Sequence, residues 1–150
     1  MIDPAAIDAV ILGLLDDEAG DVPMGTIKKR IERPADIHDP NVVKVVTDAR
    51  GNALYFSRNP IPFARDGHVD DRPTYFKHIG LYVYRRDFLL CYPDLPVGPL
   101  ERAERLEQLR ALENGYKIRV VETEYESLGV DTPEDWKQVA ELFEKPMVNR

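Results

Sequence analysis

A single cysteine, Cys91, is all the thiol chemistry this 150-residue chain contains. One thiol cannot build a disulfide framework, and no Cys/His spacing matches a zinc site, so a reducing cytoplasm is the expected compartment. Basic residues are also short: 20 Lys and Arg against 27 Asp and Glu leave a formal charge of -7. That balance argues against a nucleic acid polymer as partner, because counterion release needs a surplus of cations on one face. It leaves room for a local anion pocket. Long apolar runs are missing, and no membrane span is expected. Asp3, Asp8, Asp16 and Asp17 surround the short apolar stretch near the N-terminus, unlike the basic start and apolar core of a signal peptide. Internal repeats and low-complexity tracts are absent as well. The length fits one domain, which should bury about 70% of the surface its unfolded form exposes.

What is present alternates between helical and strand patterning. Asp3 before Pro4 is a helix start, with Asp as N-cap and Pro first inside, and Ile7, Val10, Ile11, Leu14 and Leu15 then repeat at helical spacing. This predicts a helix over 4–15 with those residues buried. Strands are predicted over 24–31, 42–47, 53–57, 76–84 and 116–123 from β-branched and aromatic alternation. Asp48 to Asn52, with Gly51, reads as a hairpin connection. Pro60, Pro62, Gly67, Asp70, Asp71 and Pro73 make 59–73 a loop. A short helix over 85–91, a long one over 99–114 stopped by Gly115, and a last one over 132–143 complete the set. The fold class is α/β or α+β, a mixed sheet with flanking helices.

Several residues stand out against this background. On a continuous helix over 99–114, Glu107 falls in the sector shared by Leu100, Ala103 and Ala111. A carboxylate at an apolar azimuth needs a partner or a polar cavity, and Arg110 three residues on is the simple alternative. Gly129 to Asp135 (GVDTPED) reads as a helix start built from Thr132, Pro133 and Asp135, which leaves Asp131 outside the helix as a carboxylate able to ligate Mg²⁺. Arg58 ends a strand at the mouth of the proline-rich loop, where its planar fork suits a carboxylate, although on sequence alone a solvated loop arginine is the somewhat better reading. His78 and Tyr82 share a strand face around Gly80.

Four segments in order, Ala53–Gly67 (ALYFSRNPIPFARDG), Lys77–Phe88 (KHIGLYVYRRDF), Pro99–Gly115 (PLERAERLEQLRALENG) and Gly129–Trp136 (GVDTPEDW), closely resemble the 3-deoxy-manno-octulosonate cytidylyltransferases, or CMP-Kdo synthetases. The likeness runs from Met1 to Phe143. It implies the nucleotide-diphospho-sugar transferase type of sheet, incomplete at its N-terminal side, so that residues 1–150 form the C-terminal part of one cytidylyltransferase domain. It implies CTP and Kdo as substrates, Mg²⁺ as cofactor, Asp131 as the catalytic metal ligand, and Arg58, His78, Tyr82, Glu107, Gln108 and Lys44 as substrate contacts. A cytoplasmic homodimer is implied for the intact enzyme. The family's phosphate-binding loop and its Gly-Asp-Glu-Pro segment do not occur here, so the chain alone is expected to be inactive. The alternatives are a non-catalytic sugar-binding or dimerisation module, and a cytidylyltransferase for another acidic sugar.

Overall fold

The computed structural model describes residues 3–17, 20–65, 74–125 and Trp136. The helix expected over 132–143 lies outside these except for Trp136, as does Asp131. Helix α1 (Pro4–Leu15) begins as the sequence predicts: the Asp3 carboxylate accepts a hydrogen bond from the Ala5 amide at 2.9 Å, and Pro4 takes the first helical position. Its far end is held by Arg85, whose guanidinium donates to the Leu14 and Val22 carbonyls at 3.0 Å each. A cation at a helix C-terminus is favoured by the helix dipole.

Among the described residues five strands make one sheet: β1 (Met24–Arg30), β2 (Lys44–Thr47), β3 (Ala53–Ser57), β4 (Phe76–Tyr84) and β5 (Ile118–Glu122), in the order β3-β2-β4-β1-β5. β1 runs antiparallel to β4 and parallel to β5, while β2 is antiparallel to both β3 and β4. The mixed sheet is therefore as expected, with β2 and β5 each starting two residues later than the patterning suggested. The β2–β3 turn is closed by Asp48, whose carboxylate accepts from the Arg50 and Asn52 amides at 2.9 and 2.8 Å. Gly51 takes φ +79 there, a conformation favoured by residues without a Cβ. The tip of this hairpin reaches the opposite edge of the sheet. Asn52 bridges Arg119, and the Val120 amide donates to the Gly51 carbonyl at 2.8 Å.

The curled sheet buries different residues on its two sides. One side packs Met24, Val45, Phe56, Ile118 and Val120 against Phe88, Leu106, Leu109 and Ala111. On the other, α1 sets Ala6 and Val10 on Ile27 and Ile79. The helix comes so close that a Cβ at Gly13 would lie 2.5 Å from the Val121 side chain. This corrects the sequence reading of α1. The buried row is Ala6, Val10 and Leu14, whereas Ile7 and Ile11 are 38% exposed and Leu15 is 64% exposed. Close approach at Gly13 admits one i, i+4 row rather than a broad stripe.

The second correction concerns 99–114, which is not one helix. α4 (Pro99–Glu104) and α5 (Leu109–Glu113) are separated at Arg105, which sits in the left-handed region at φ 56, ψ 45. The fold-back satisfies groups that a straight helix would leave open. The Glu113 carboxylate accepts from the Leu100 and Glu101 amides at 2.8 and 3.0 Å, closing the first turn of α4. The Arg110 fork meets the Glu101 carboxylate through two bonds of 2.8 and 2.7 Å. Leu106 and Leu109 enter the core at the corner. Two further short helices lie among the described residues. One is α2 (Pro34–His38), which the sequence reading lacked, and the other is α3 (Arg86–Cys91), followed by a 3-10 turn at Tyr92–Asp94.

Candidate functional site

Alternation along β4 puts His78, Tyr82 and Tyr84 on the side of the sheet that faces the α4–α5 corner. Their rings form a row: 5.5 Å between the centroids of His78 and Tyr82, 6.1 Å from Tyr82 to Tyr84, and 5.9 Å from Tyr84 to Tyr92. Phe56 of β3 closes the near end, 5.0 Å from His78. At the far end the Tyr92 hydroxyl donates to the Glu107 carbonyl at 2.7 Å. The row thus connects β4 to the corner that carries Glu107 and Gln108.

The protonation states along this row are fixed by burial. His78 is pulled down to about 4 by loss of solvent, which keeps the imidazole neutral near neutral pH. Tyr82 is pushed far above the ordinary phenol value, first by burial and then by the negative charge of Glu107. Tyr84 moves up for the same two reasons. Tyr92 is raised to about 12, chiefly by burial. All four present uncharged groups that both donate and accept, which is the chemistry a hydroxyl-rich ligand requires.

Arg58 sits just beyond β3 and is held by α4. Glu104 accepts from the Ser57 hydroxyl at 2.6 Å and from the Arg58 amide at 2.9 Å, while the Arg58 Nε donates to the Glu104 carbonyl at 2.8 Å. The same guanidinium reaches the Pro40 carbonyl at 2.9 Å and the Arg105 carbonyl at 3.5 Å. Of its five N–H groups, two remain for a ligand. Glu104 is a site-building residue that the sequence reading missed. Its spacing from Ser57 gives no local signal.

Lys44 requires a correction. It was expected among the ligand contacts, but it is wholly buried, and its ammonium donates to the carbonyls of Asp39, Val42 and Arg58 at 2.8, 2.6 and 2.5 Å. Three protons meet three acceptors, so none is left for a ligand. Burial lowers its pKa. Lys44 is a structural post under Arg58, and its place inside the apolar run Val42-Val43-Lys44-Val45-Val46 was the available hint.

At the corner Glu107 is exposed, and among the described residues no ion pair engages it. The expected alternative pairing with Arg110 does not form, because that fork is taken by Glu101. Glu107 lines a cavity of about 560 Å³ together with Val97, Glu101, Arg102 and Arg105. Gln108 is 2% exposed and lies behind it. The structure therefore gathers His78, Tyr82 and Glu107 along one aromatic row and brings Arg58 to the residues just before Glu107. It commits all three protons of Lys44 to carbonyls, and Asp131 lies outside the described residues. Among the described residues no group of three or more His, Cys, Asp or Glu is placed to hold a metal ion.

Comparison with known proteins gives this geometry a setting. Residues 1–118 match the family model described as cytidylyltransferase. The 3-deoxy-manno-octulosonate cytidylyltransferase of Solibacter usitatus is 71% identical over 143 residues, covering 95% of this chain and 55% of the relative. That of Syntrophotalea carbinolica is 59% identical over 145 residues, covering 93% of this chain and 57% of the relative. A solved structure of CMP:2-keto-3-deoxy-manno-octonic acid synthetase complexed with CTP matches with a TM-score of 0.86 at 41% identity, over 95% of this chain and 57% of that one. The chain spans a little over half the length of the relatives it matches. On the match over residues 1–118 and the fold it shares, the chain belongs to the cytidylyltransferase family.

Proposed function

We propose that this chain serves CMP-Kdo synthesis: CMP passes from CTP to the anomeric hydroxyl of Kdo, giving CMP-Kdo and pyrophosphate for lipopolysaccharide assembly. The observation that carries the reading is the 71% identity to a protein of that activity. In the reaction a bond forms between the anomeric oxygen and the α-phosphorus, the α–β phosphoanhydride breaks, and the hydroxyl proton is lost. The protein's task is positioning and charge neutralisation. The two remaining Arg58 N–H groups take the carboxylate of the sugar acid. His78, Tyr82, Glu107 and Gln108 replace the water bonds of its hydroxyls.

Mg²⁺ is proposed as cofactor, with Asp131 as its ligand; when bound it would neutralise phosphate charge. The described residues supply no metal cluster of their own, so no step is routed through the ion. The intact enzyme is proposed to be a cytoplasmic homodimer with two-fold symmetry. No helix among the described residues is long and apolar enough to cross a membrane.

Pyrophosphate release from CTP and Kdo with Mg²⁺ tests the reading, run on this chain beside a version extended upstream to the length of the relatives. Only the extended protein is expected to turn over. Equal turnover by both would reject the expectation that this chain alone is inactive, and an extended protein that accepts CTP but not Kdo would reject the substrate.

A further inference from the structure

The hydrogen bonds around Thr26 decide something about His78 that its position in the row does not. Thr26 lies in the middle of β1 and is completely buried. Opposite it, β4 carries an irregularity: Thr26 pairs with Tyr82 while the next residue, Ile27, pairs with Ile79, so Gly80 and Leu81 are extra on the β4 side. The bulge brings two carbonyls to the Thr26 hydroxyl, Leu81 at 2.7 Å and Ile79 at 3.4 Å. The His78 Nε2 lies 2.9 Å from the same oxygen. A hydroxyl has one proton, and a carbonyl can only accept. At 2.7 Å from Leu81 that proton is committed to the carbonyl, so the short contact with His78 must be bridged by a proton on Nε2.

We propose that Thr26 is a positioning residue for His78: its hydroxyl fixes the imidazole as the Nε2–H tautomer and leaves Nδ1 as a bare acceptor for a hydroxyl of the bound sugar. Nδ1 has no partner among the described residues. The ring is only partly buried, so it keeps a side open to a ligand. Phe56 and Tyr82 both pack against the ring, at centroid distances of 5.0 and 5.5 Å. It therefore offers one lone pair in one direction. A neutral acceptor is suited to a hydroxyl, whereas a carboxylate would need a donor there. This divides the recognition of a sugar acid between His78 for a hydroxyl and Arg58 for the carboxylate. Only the identity of the ligand rests on the function proposed above.

The chain has three histidines, His38, His68 and His78, so long-range proton–nitrogen spectra of the rings test the tautomer directly. At neutral pH His78 is expected as Nε2–H alone, with the exposed His38 as the reference for an unconstrained ring. Thr26→Val should lower the tautomer ratio of His78 about fivefold or more toward that reference, the worth of one net hydrogen bond, and Thr26→Ser should restore it. A native His78 that carries its proton on Nδ1, or is charged at pH 7, overturns the proposal without recourse to any variant. So does a folded Thr26→Val with an unchanged ratio. Adding Kdo to the extended protein should move the Nδ1 resonance; an unmoved Nδ1 with the tautomer as stated would sink the sugar reading of the cleft while leaving the role of Thr26 intact.

Discussion

The two sides of the sheet solve different problems, with a large core on one side and a small one on the other. Against α1 the contact is apolar and narrow: one row of Ala6, Val10 and Leu14 over Ile27 and Ile79, with Leu12 and Leu15 left 59% and 64% exposed. Against α4 and α5 the apolar core around Phe56 and Leu109 is overlain by polar side chains held in place, Lys44 wholly and Arg58 in part by backbone carbonyls and Glu101 by Arg110. Burying such groups gains little net stability, because each bond replaces one made with water. What it gains is fixed geometry. The α1 side holds the sheet together, and the corner side holds a constellation in place.

Mutation should separate these two roles. The largest effect is expected from Phe56→Ala, since Phe56 is fully buried and supports both the core and the His78 ring; a loss of about 3–5 kcal/mol in denaturant unfolding follows from the transfer and cavity terms. On the α1 side Val10→Ala removes two methyl groups and should cost about 1.6 kcal/mol. If the two losses were equal, the contrast between the sides would fail. Lys44→Met should cost roughly 3 kcal/mol by stranding the carbonyls of Asp39, Val42 and Arg58. In the extended enzyme, the fraction that folds should keep its KM for CTP. A selective rise in a substrate KM at unchanged stability would return Lys44 to the ligand site.

The acid response sharpens the comparison further. The His78 pKa is depressed to about 4, so the unfolded chain binds a proton that the folded one refuses between that value and about 6.5. The stability contributed by keeping this ring neutral is complete above about 6.5 and is lost as pH falls toward 4, by at most about 3 kcal/mol. A His78→Gln variant should show a flatter stability profile over that window, measured by urea unfolding at each pH. Parallel profiles would mean that burial does not hold the ring neutral. Arg58→Ala in the extended enzyme should raise the KM for Kdo about tenfold to hundredfold, the range for a charged hydrogen bond of roughly 1.5 to 3 kcal/mol. The KM for CTP should hold. The smallest effect belongs to the open side of α1, where Leu12→Gln should change stability by no more than about 0.5 kcal/mol.

Much of the sheet was legible because its signals are local. Strand alternation, the Asp3-Pro4 helix start and the Asp48-to-Asn52 turn each name their own structure through chemistry within a few residues. The α4–α5 corner was not. A left-handed arginine has no sequence signature, and Glu101, Arg110 and Glu113 at their spacing pass for the surface of an ordinary long helix. Glu107 therefore stands between two short helices and not on a long one, even though the corner does bring it to the row ending at Tyr92. Thr26 and Glu104 were equally silent, because their partners lie 52 and 47 residues away. Lys44 was misread because a buried lysine and a ligand lysine look alike until the carbonyls around it are counted.

The contact between the hairpin tip and β5 changes what an edge means in this sheet. Written as an order of strands, β3 and β5 are the two ends, the places where a sheet ordinarily frays first and where amide protons exchange with solvent earliest. Yet the Val120 amide is bonded to Gly51 and Asn52 bridges Arg119, with a further bond from the Arg119 guanidinium to the Arg50 carbonyl. Neither end can peel away alone, since lifting β5 strips the turn of its anchor and lifting the hairpin uncovers β5. The Val120 amide should then exchange at the pace of the central strands, through opening of the whole sheet.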